Sequence, residues 1–310
     1  AADAAFAEVV YSASGLTGTT HQRHEPLPAG RYWWRVRAEN PCGTNGSDAR
    51  SFAVPGIRGT ITDTAGTPLP GIWLRFYDQD GRAIAAAVTG SAGVYASPGL
   101  SPGTYFVSTT STLGWINEIY DDVSCWPRFD VKSGRPVRVA AGAETPQVDF
   151  ALARGASVSG RVTTATGAAY RDLLVRIVSA EQSTLDPLST EAATETDNSG
   201  RYAFEGLPSG RYCVATLNGW DDYVDEWYDN VPSQGISAQA EGTPIDVTAP
   251  EARSGIDIVL EPGGRIGGRV TDVGGAPLRG VEVHIHDQTG RHVDKTLTDD
   301  SGAFASGPLA

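Results

Sequence analysis

The feature that most constrains this chain is a long-period internal repeat. The similar segments GTITD, GRVTT and GRVTD begin at Gly59, Gly160 and Gly268, at intervals of 101 and 108 residues. Residues 59–81 and 268–290 align without a gap and share Asp, Gly and Pro-Leu at the same places. Because an interval of about 100 residues is long enough to bury a core of its own, the repeat predicts a tandem array of similar domains.

Each repeat contains a run in which apolar and polar residues alternate, as in a strand with one buried face. The predicted buried residues are Ile72, Leu74 and Phe76 in the first copy, Leu173, Val175 and Ile177 in the second, and Val281, Val283 and Ile285 in the third. On the same strands, Arg75 and His284 are expected to face solvent. A register shifted by one residue would reverse this burial.

A second repeated pattern predicts pairs of short strands set between tight turns. In Thr196–Thr216, the polar turns DNSG and LPSG precede alternating runs that contain Tyr202 and Tyr212, and Asn and Gly favour chain reversal there. The chain has 37 Gly and 19 Pro with 40% hydrophobic residues and little helical periodicity. The predicted fold class is therefore all-β, with tandem antiparallel β-sandwich modules of immunoglobulin-like or prealbumin-like type in an extended array.

The amino-terminal residues carry a different strand pattern. Leu27–Asn40, LPAGRYWWRVRAEN, alternates strictly, contains a Leu-x-x-Gly-x-Tyr corner in which Tyr32 can brace the preceding turn, and is followed by the segment Ser51–Val54. These features resemble the late part of a fibronectin type III domain. The resemblance implies a partial domain over residues 1–55, in which Phe6–Ser12 would form a middle strand.

The repeats resemble another family. Their motifs, Gly-x-Val-x-Asp, Pro-Leu-x-Gly-Val, Thr-Asp-x-Ser-Gly-x-Tyr and Leu-x-x-Gly-x-Tyr, look like those of carboxypeptidase regulatory-like domains over residues 57–310. The resemblance implies non-catalytic, prealbumin-like sandwiches, often arranged in tandem in secreted or surface proteins of bacteria. The predicted domains are a partial fibronectin type III-like domain, two complete regulatory-like domains and one partial regulatory-like domain, over residues 1–55, 56–155, 156–264 and 265–310.

A crosslink found in related proteins is not expected here. Collagen-binding repeats of adhesins, which are related to this family, often carry a Lys–Asn isopeptide bond. The only lysines in this chain are Lys132 and Lys295, and neither lies on the first strand of a repeat.

Charge and hydropathy exclude several partners. The formal net charge is −13 at pH 7, so nucleic acid and anionic lipid surfaces are not expected to attract the chain. No apolar run approaches the roughly 20 residues that span a bilayer, and no signal peptide opens the chain. The sequence lacks Met, which indicates a processed or excised piece of a longer protein. The module type predicts a secreted or cell-surface location.

Cysteine usage does not indicate a disulfide framework. Cys42, Cys125 and Cys213 are odd in number, fall in three different predicted domains and form no CxxC pair or Cys/His ligand spacing. Cys213 lies inside a predicted strand, where a buried thiol is the expected state.

No catalytic set is recognisable, and we expect that the chain is not an enzyme. There is no Gly-x-Ser-x-Gly elbow, and Thr89–Gly93, TGSAG, is similar to one only in its letters. His284 and His286 alternate on one strand and share its outward face, a geometry that can hold a transition metal. No third ligand is evident from spacing, so a solvated strand face is the simpler interpretation and no metal site is predicted.

The main candidate for ligand contact is an aromatic and acidic insertion present in two repeats. Glu118–Val123, EIYDDV, matches Glu226–Val231, EWYDNV, and a Gly-Trp pair precedes each. Aromatic faces beside carboxylates can stack on a sugar ring and bond its hydroxyl groups, while clustered carboxylates can hold Ca²⁺. The candidate contact residues are Trp115, Tyr120, Asp121, Trp220, Trp227, Tyr228 and Asp229.

The alternative for this insertion is structural: the loop folds back and its aromatic rings cap the open end of the sandwich. Its occurrence in two repeats favours that role. No Asp-x-Asp-x-Asp-Gly loop supports calcium, so no cofactor is predicted and Ca²⁺ is kept only as an alternative.

The sequence as a whole favours a non-catalytic extracellular array with a structural or adhesive role, as a stalk, a spacer or a filament-forming surface protein. Short linkers such as 153–155 and 262–264 predict a stiff rod. The alternative is a carbohydrate- or protein-binding appendage of a larger secreted hydrolase. Expected partners are neighbouring copies or the rest of a longer chain, with a glycan or a surface protein as further candidates. Either the longer chain or another copy, by donor-strand complementation, can complete the partial end domains.

Overall fold

The structure is a computed structural model. It describes the whole chain apart from residues 2–3, 26, 127–129, 182–191, 218–221, 233–241, 291 and 310. In the described residues, regular structure consists of β-strands and one 3-10 helix, Val131–Ser133, which confirms the all-β prediction. No helix in this part of the chain is long and apolar enough to cross a membrane. The chain falls into two compact units that meet in sequence at Arg154 and Gly155, with Trp126 grouped with the second unit.

The amino-terminal segment, residues 1–55, forms two strand pairs. Its strands are β1 Gly30–Trp34, β2 Arg37–Asn40, β3 Gly43–Gly46 and β4 Arg50–Val54. β1 pairs antiparallel with β4, and β2 with β3. The predicted corner is present, since Tyr32 Oη donates to Pro28 O at 2.9 Å. The strand predicted over Phe6–Ser12 is not formed, because these residues find no strand to pair with among the described residues and most of their side chains are exposed.

The first module, residues 56–155, is a sandwich of two sheets around one core. Its strands are β5 Gly56–Asp63, β6 Trp73–Tyr77, β7 Ala83–Val88, β8 Val94–Ala96, β9 Gly103–Thr110, β10 Glu118–Ile119, β11 Val123–Ser124, β12 Val137–Val139, β13 Glu144–Thr145 and β14 Phe150–Leu152. The first sheet joins β13, β14 and β8 to β5, and the second has the order β11-β10-β9-β6-β7 with β12 also on β9. Ile72, Leu74 and Phe76 are fully buried in the core, as predicted.

The second module, residues 156–264, repeats this arrangement. Its strands are β15 Ala156–Thr164, β16 Leu174–Ser179, β17 Ala192–Glu195, β18 Arg201–Leu207, β19 Gly210–Leu217, β20 Glu226–Trp227, β21 Val231–Pro232, β22 Ile245–Val247, β23 Ala252–Arg253 and β24 Ile258–Leu260. The first sheet joins β18, β23 and β24 to β15, and the second has the order β17-β16-β19-β20-β21 with β22 also on β19. Leu173, Val175 and Ile177 are buried, as predicted.

The third module, residues 265–310, forms two strand pairs. Its strands are β25 Gly267–Arg269, β26 Glu282–His286, β27 His292–Leu297 and β28 Ala303–Ala305, with β25 on β28 and β26 on β27. The predicted parity holds, since Ile285 is buried and His284 is exposed, like Arg75 in the first module. Full burial of Val281 and Val283 is wrong: both are half-buried, because the described residues of this module include no counterpart of β9 or β14 to cover them.

The pairing departs from a purely antiparallel sandwich at the closing strands. β13 and β14 run parallel to β5, and β23 and β24 run parallel to β15. In each complete module the chain crosses to the second sheet and back twice and ends in the first sheet, where its last strand lies beside its first in the same direction.

Repeated Gly and Tyr residues hold these closing strands in place. Tyr95 Oη donates to Val148 O at 2.6 Å, and Tyr202 Oη donates to Ile256 O at 2.5 Å. The closing backbone passes so near Gly160 that a Cβ there would collide with Ile256 O. The Gly-x-Val and Ser-Gly-x-Tyr motifs therefore recur because both are needed at the same close approach of backbone.

Candidate functional site

The aromatic and acidic insertion adds two short strands to the second sheet of each complete module. β10 pairs antiparallel with β9 through Ile119 and Ser108, and β20 pairs with β19 through Trp227 and Ala215. β11 and β21 then form the outer edge. Because the insertion is part of a sheet, its successive side chains alternate between the two faces.

Tyr120 and Tyr228 lie on the inner face, at the edge of each core. The Tyr120 ring meets Phe150 edge-on with ring centres 5.7 Å apart, and both tyrosines are half-buried against their cores. Their backbone N–H groups donate across the sheet, from Tyr120 to Val107 O and from Tyr228 to Val214 O, each at 2.9 Å. The two rings therefore cover an edge of the core in each module.

Trp227 lies on the opposite, outer face of its sheet and is fully buried. It packs with Val178, Cys213 and Ala215, and the guanidinium carbon of Arg176 is 4.7 Å from the centre of a Trp227 ring. Because protein encloses the side chain, Trp227 presents no surface to a sugar in this structure.

Trp115 and Asp121 make contacts within the first module. The guanidinium carbon of Arg154 lies 4.2 Å from the centre of a ring of the half-buried Trp115. Asp121 is exposed and forms an ion pair with Arg135, with 3.2 Å between Oδ2 and Nη1. The guanidinium carbon of Arg135 is also 5.9 Å from the Tyr120 ring centre. An acidic group, a basic group and part of an aromatic ring thus lie together at the surface.

The second module shows only part of the equivalent group. Asp229 is exposed and accepts from Asn230 Nδ2 at 2.6 Å, while Trp220 lies outside the described residues. Nowhere in the described parts of the chain are three His, Cys, Asp or Glu side chains already grouped to hold a metal ion. Ligand contact at the seven candidate positions, and calcium binding, stay predictions.

Sequence reasoning missed Glu118 and Glu226, the first residue of each insertion. Burial raises the pKa of both carboxyl groups to about 7, and their Oε2 atoms are buried without a hydrogen-bond partner in the described structure. Their backbone N–H groups donate to Thr109 Oγ1 at 2.8 Å and to Thr216 Oγ1 at 2.9 Å. The available signal was that both copies of the motif begin with Glu. A pKa of about 7 places the change of charge of both carboxyl groups near neutral pH.

The three cysteines are free thiols. Cys42 is exposed, Cys125 is half-buried and Cys213 is buried, as predicted for Cys213. Burial raises the pKa of Cys213 to about 11 and that of Cys125 to about 12. Both are therefore poor nucleophiles near neutral pH, because the thiolate is the reactive form.

The first module matches a known domain family. The family model of the carboxypeptidase regulatory-like domain matches residues 56–153, which confirms the resemblance for this module. Among curated proteins, no relative matches the sequence.

Solved structures that are similar to the chain at low sequence identity include the following three. The Bacillus anthracis TIE protein is 12% identical, over 90% of this chain and 52% of its own, with a TM-score of 0.26. A streptococcal ancillary pilin is 12% identical, over 82% and 86%, with a TM-score of 0.29. The shaft pilin SpaA from Lactobacillus rhamnosus GG is 13% identical, over 67% and 98%, with a TM-score of 0.28. The chain spans about half the length of the TIE protein.

Proposed function

We propose that the chain is a non-catalytic extracellular structural protein whose sandwich modules carry mechanical load, as a stalk, a spacer or a filament subunit. The observation that carries this proposal is the parallel pairing of the first strand with the last strand in both complete modules. β5 pairs with β14, and β15 pairs with β24.

This pairing puts the two ends of a module at opposite ends of one strand pair. Tension on the chain pulls the start of β5 one way and the end of β14 the other way, along the strands. All hydrogen bonds of the pair are then loaded together and must break together. In an antiparallel pair the chain would enter and leave at the same end of the two strands. The hydrogen bonds would then break one after another at lower force.

Side chains brace the same strand pair in both modules. Asp149 Oδ1 accepts from the backbone N–H of Thr60 at 2.7 Å, and Asp257 Oδ1 accepts from the backbone N–H of Arg161 at 2.8 Å. Hydrogen bonds to an ionised acceptor are stronger than neutral ones. The matching strand order and matching braces support the proposal that the second module is also a carboxypeptidase regulatory-like domain.

Single-molecule pulling of the 310-residue chain from its two termini tests the mechanical role. We expect two discrete unfolding events, each releasing about 30 nm of extended chain. Ala151→Pro, which disturbs the β5–β14 ladder at the pair Ala151–Thr62, should lower the unfolding force of one event only. Val259→Pro should do the same to the other module. Gradual extension without force peaks would contradict the proposal.

Assembly is a second part of the proposal and concerns the third module. Val281 and Val283 share the inner face of the β26–β27 hairpin and are only half-buried. Strands from the rest of a longer chain, or from another copy arranged head to tail, would cover this face. Electron microscopy distinguishes the two sources, since a regular fibre supports assembly of copies and monodisperse single particles support the longer chain.

A ligand-binding appendage is the competing function, and one observation favours it. Tyr120 with Asp121, and Tyr228 with Asp229, leave a carboxylate and part of an aromatic ring exposed at equivalent places in two modules. A glycan array tests this: binding that is lost in Asp121→Ala and Asp229→Ala, with thermal stability unchanged, would favour the appendage over the spacer.

A further inference from the structure

The outer face of the β26–β27 hairpin carries three histidines. His284 and His286 lie on β26, His292 is the first residue of β27, and all three are exposed. The ring centre of His292 is 5.3 Å from that of His284 and 5.4 Å from that of His286, and the latter two are 6.4 Å apart. Sequence spacing did not reveal the third ring because a turn separates it from the other two.

A β-bulge brings His292 onto this face. Ile285 pairs with Asp294, but His286 pairs with His292, so Val293 is an extra residue on β27. With regular pairing, Val293 would lie opposite His286 and His292 would project from the other face.

The same β-bulge occurs in the first and third modules, whereas the histidines at these positions are found in the third. In the first module Tyr77 pairs with Ala83, again with one residue skipped. These two positions correspond to His286 and His292 when the gap-free alignment of the repeats is extended. In the first module the bulge has Tyr77 and Ala83 in place of the two histidines. The histidine cluster therefore does not follow from the shape of the hairpin.

The ring spacing is suited to one shared metal ion. With Zn–N bonds of about 2.1 Å and tetrahedral angles, imidazole rings on one ion have centres about 5 Å apart. The two distances from His292 match this spacing, and the third exceeds it by roughly 1 Å. The three rings are exposed side chains, so small rotations can bring their nitrogens to a common point.

Hydrogen bonds already assign the ring nitrogens. His284 Nε2 is 2.6 Å from Glu282 Oε1, and His286 Nδ1 is 3.2 Å from Gly290 O. A carboxylate and a carbonyl only accept, so in the neutral imidazole the contacted nitrogen carries the proton and the lone pair is on Nδ1 of His284 and Nε2 of His286. Metal-binding histidines are commonly supported by such partners.

We propose that His284, His286 and His292 bind a divalent transition-metal ion that prefers imidazole ligands, such as Zn²⁺, with the fourth position open to solvent. Lys295, the cross-strand partner of His284, has its Nζ 3.3 Å from Glu282 Oε2, which offsets its repulsion of the ion. The chain's net charge of −13 also favours a cation over an anion at the surface.

Calorimetric titration of the 310-residue protein with Zn²⁺, in a buffer that does not chelate metals, tests the site. We expect one saturable site, with binding weakened about tenfold or more in His292→Asn. His24→Asn removes an exposed histidine elsewhere and should leave binding unchanged. Glu282→Gln, which alters only a supporting partner, should weaken binding less than His292→Asn. Thermal melting of each variant checks that it is folded.

Titration with Co²⁺ gives an independent readout, because the visible absorption of Co²⁺ reports its geometry. A tetrahedral spectrum that is lost in His292→Asn supports the proposal. The proposal is overturned by the absence of Zn²⁺ binding, by binding that His292→Asn does not change, or by weak binding at several sites that His24→Asn reduces as much as His292→Asn.

Discussion

The outer face of the second sheet is packed differently in the two complete modules, although their strand orders are the same. One row of cross-strand neighbours runs over three strands in each module. Its members are Arg75, Ser108 and Ile119 in the first module and Arg176, Ala215 and Trp227 in the second. The large side chain comes from the inserted strand in the second module only.

The neighbouring cross-strand pair compensates for this difference. Tyr77 and Phe106 in the first module pack with Val131 of the 3-10 helix, whereas their equivalents Val178 and Cys213 pack beneath Trp227. Side-chain volume is therefore matched over the whole cluster and not position by position, as close packing requires.

The difference in packing also changes the burial of the equivalent arginine. Arg75 is exposed, but Arg176 is 5% exposed, with its Nε and Nη2 atoms unpartnered among the described residues. Burial lowers the pKa of the Arg176 guanidinium group. Its position over Trp227 replaces part of the lost hydration by a cation–π contact.

Trp227→Ala should have the largest effect on the stability difference between the two modules. Because the side chain is fully buried, we expect a loss of about 3–5 kcal/mol in the free energy of unfolding of the second module. Hydrogen exchange of peptides from each module measures the two stabilities separately. The first module serves as the internal reference, and loss of protection in both modules would contradict an effect local to the second.

Cys213→Phe tests the exchange of volumes directly. Placing the first module's residue beneath Trp227 should overpack the cluster and cost about 1–3 kcal/mol. Adding Trp227→Ile, which copies the first module's inserted strand, should recover part of that loss. A double-mutant cycle measured by hydrogen exchange checks the coupling, and simple additivity would refute the compensation.

Glu118 and Glu226 begin the inserted strand in both modules, so both modules should respond alike to pH. Each carboxyl group has a pKa of about 7 when folded, against an ordinary value of 4.5, so the folded state holds the proton more tightly. Stability should therefore fall as pH rises from 4.5 to 7 and then level off, by on the order of 1–2 kcal/mol per group after allowance for partial solvent access.

Glu118→Gln and Glu226→Gln should remove this dependence from their own modules. Their stability relative to the parent chain should increase between pH 4.5 and 7, because Gln has no charge to lose hydration. Denaturation followed at several pH values provides the measurement. A difference that is flat over this range would show that the buried carboxyl groups do not titrate there.

Arg176→Met should have the smallest effect. Met keeps the apolar contact with Trp227 and removes a buried charge with unpaired N–H groups, so we expect stabilisation by about 1 kcal/mol. Arg75→Met, on the exposed face, is the matched control and should change stability by less than about 0.5 kcal/mol. Marked destabilisation by Arg176→Met would mean that the cation–π contact outweighs the cost of burial.

The sequence alone determined the features that depend on local pattern. The period-2 alternation gave the inward parity of Ile72, Val175 and Ile285, and the Leu-x-x-Gly-x-Tyr corner predicted the brace from Tyr32. Both follow from strand geometry and turn chemistry over a few residues. The exposed face of His284 follows from the same alternation, whereas Cys213 is buried because Trp227 packs over it.

Tertiary structure alone decided the features that depend on distant partners. The pairing of β20 with β19 placed Trp227 on the outer face of its sheet, and the smaller side chains of Val178 and Cys213 left room for it to be buried there. The pairing of β14 with β5, and the bulge that turns His292 toward His284, are likewise absent from any local pattern. Alternation specifies that two faces differ, but the neighbouring sheet, the inserted strand and the bulge determine what each face meets.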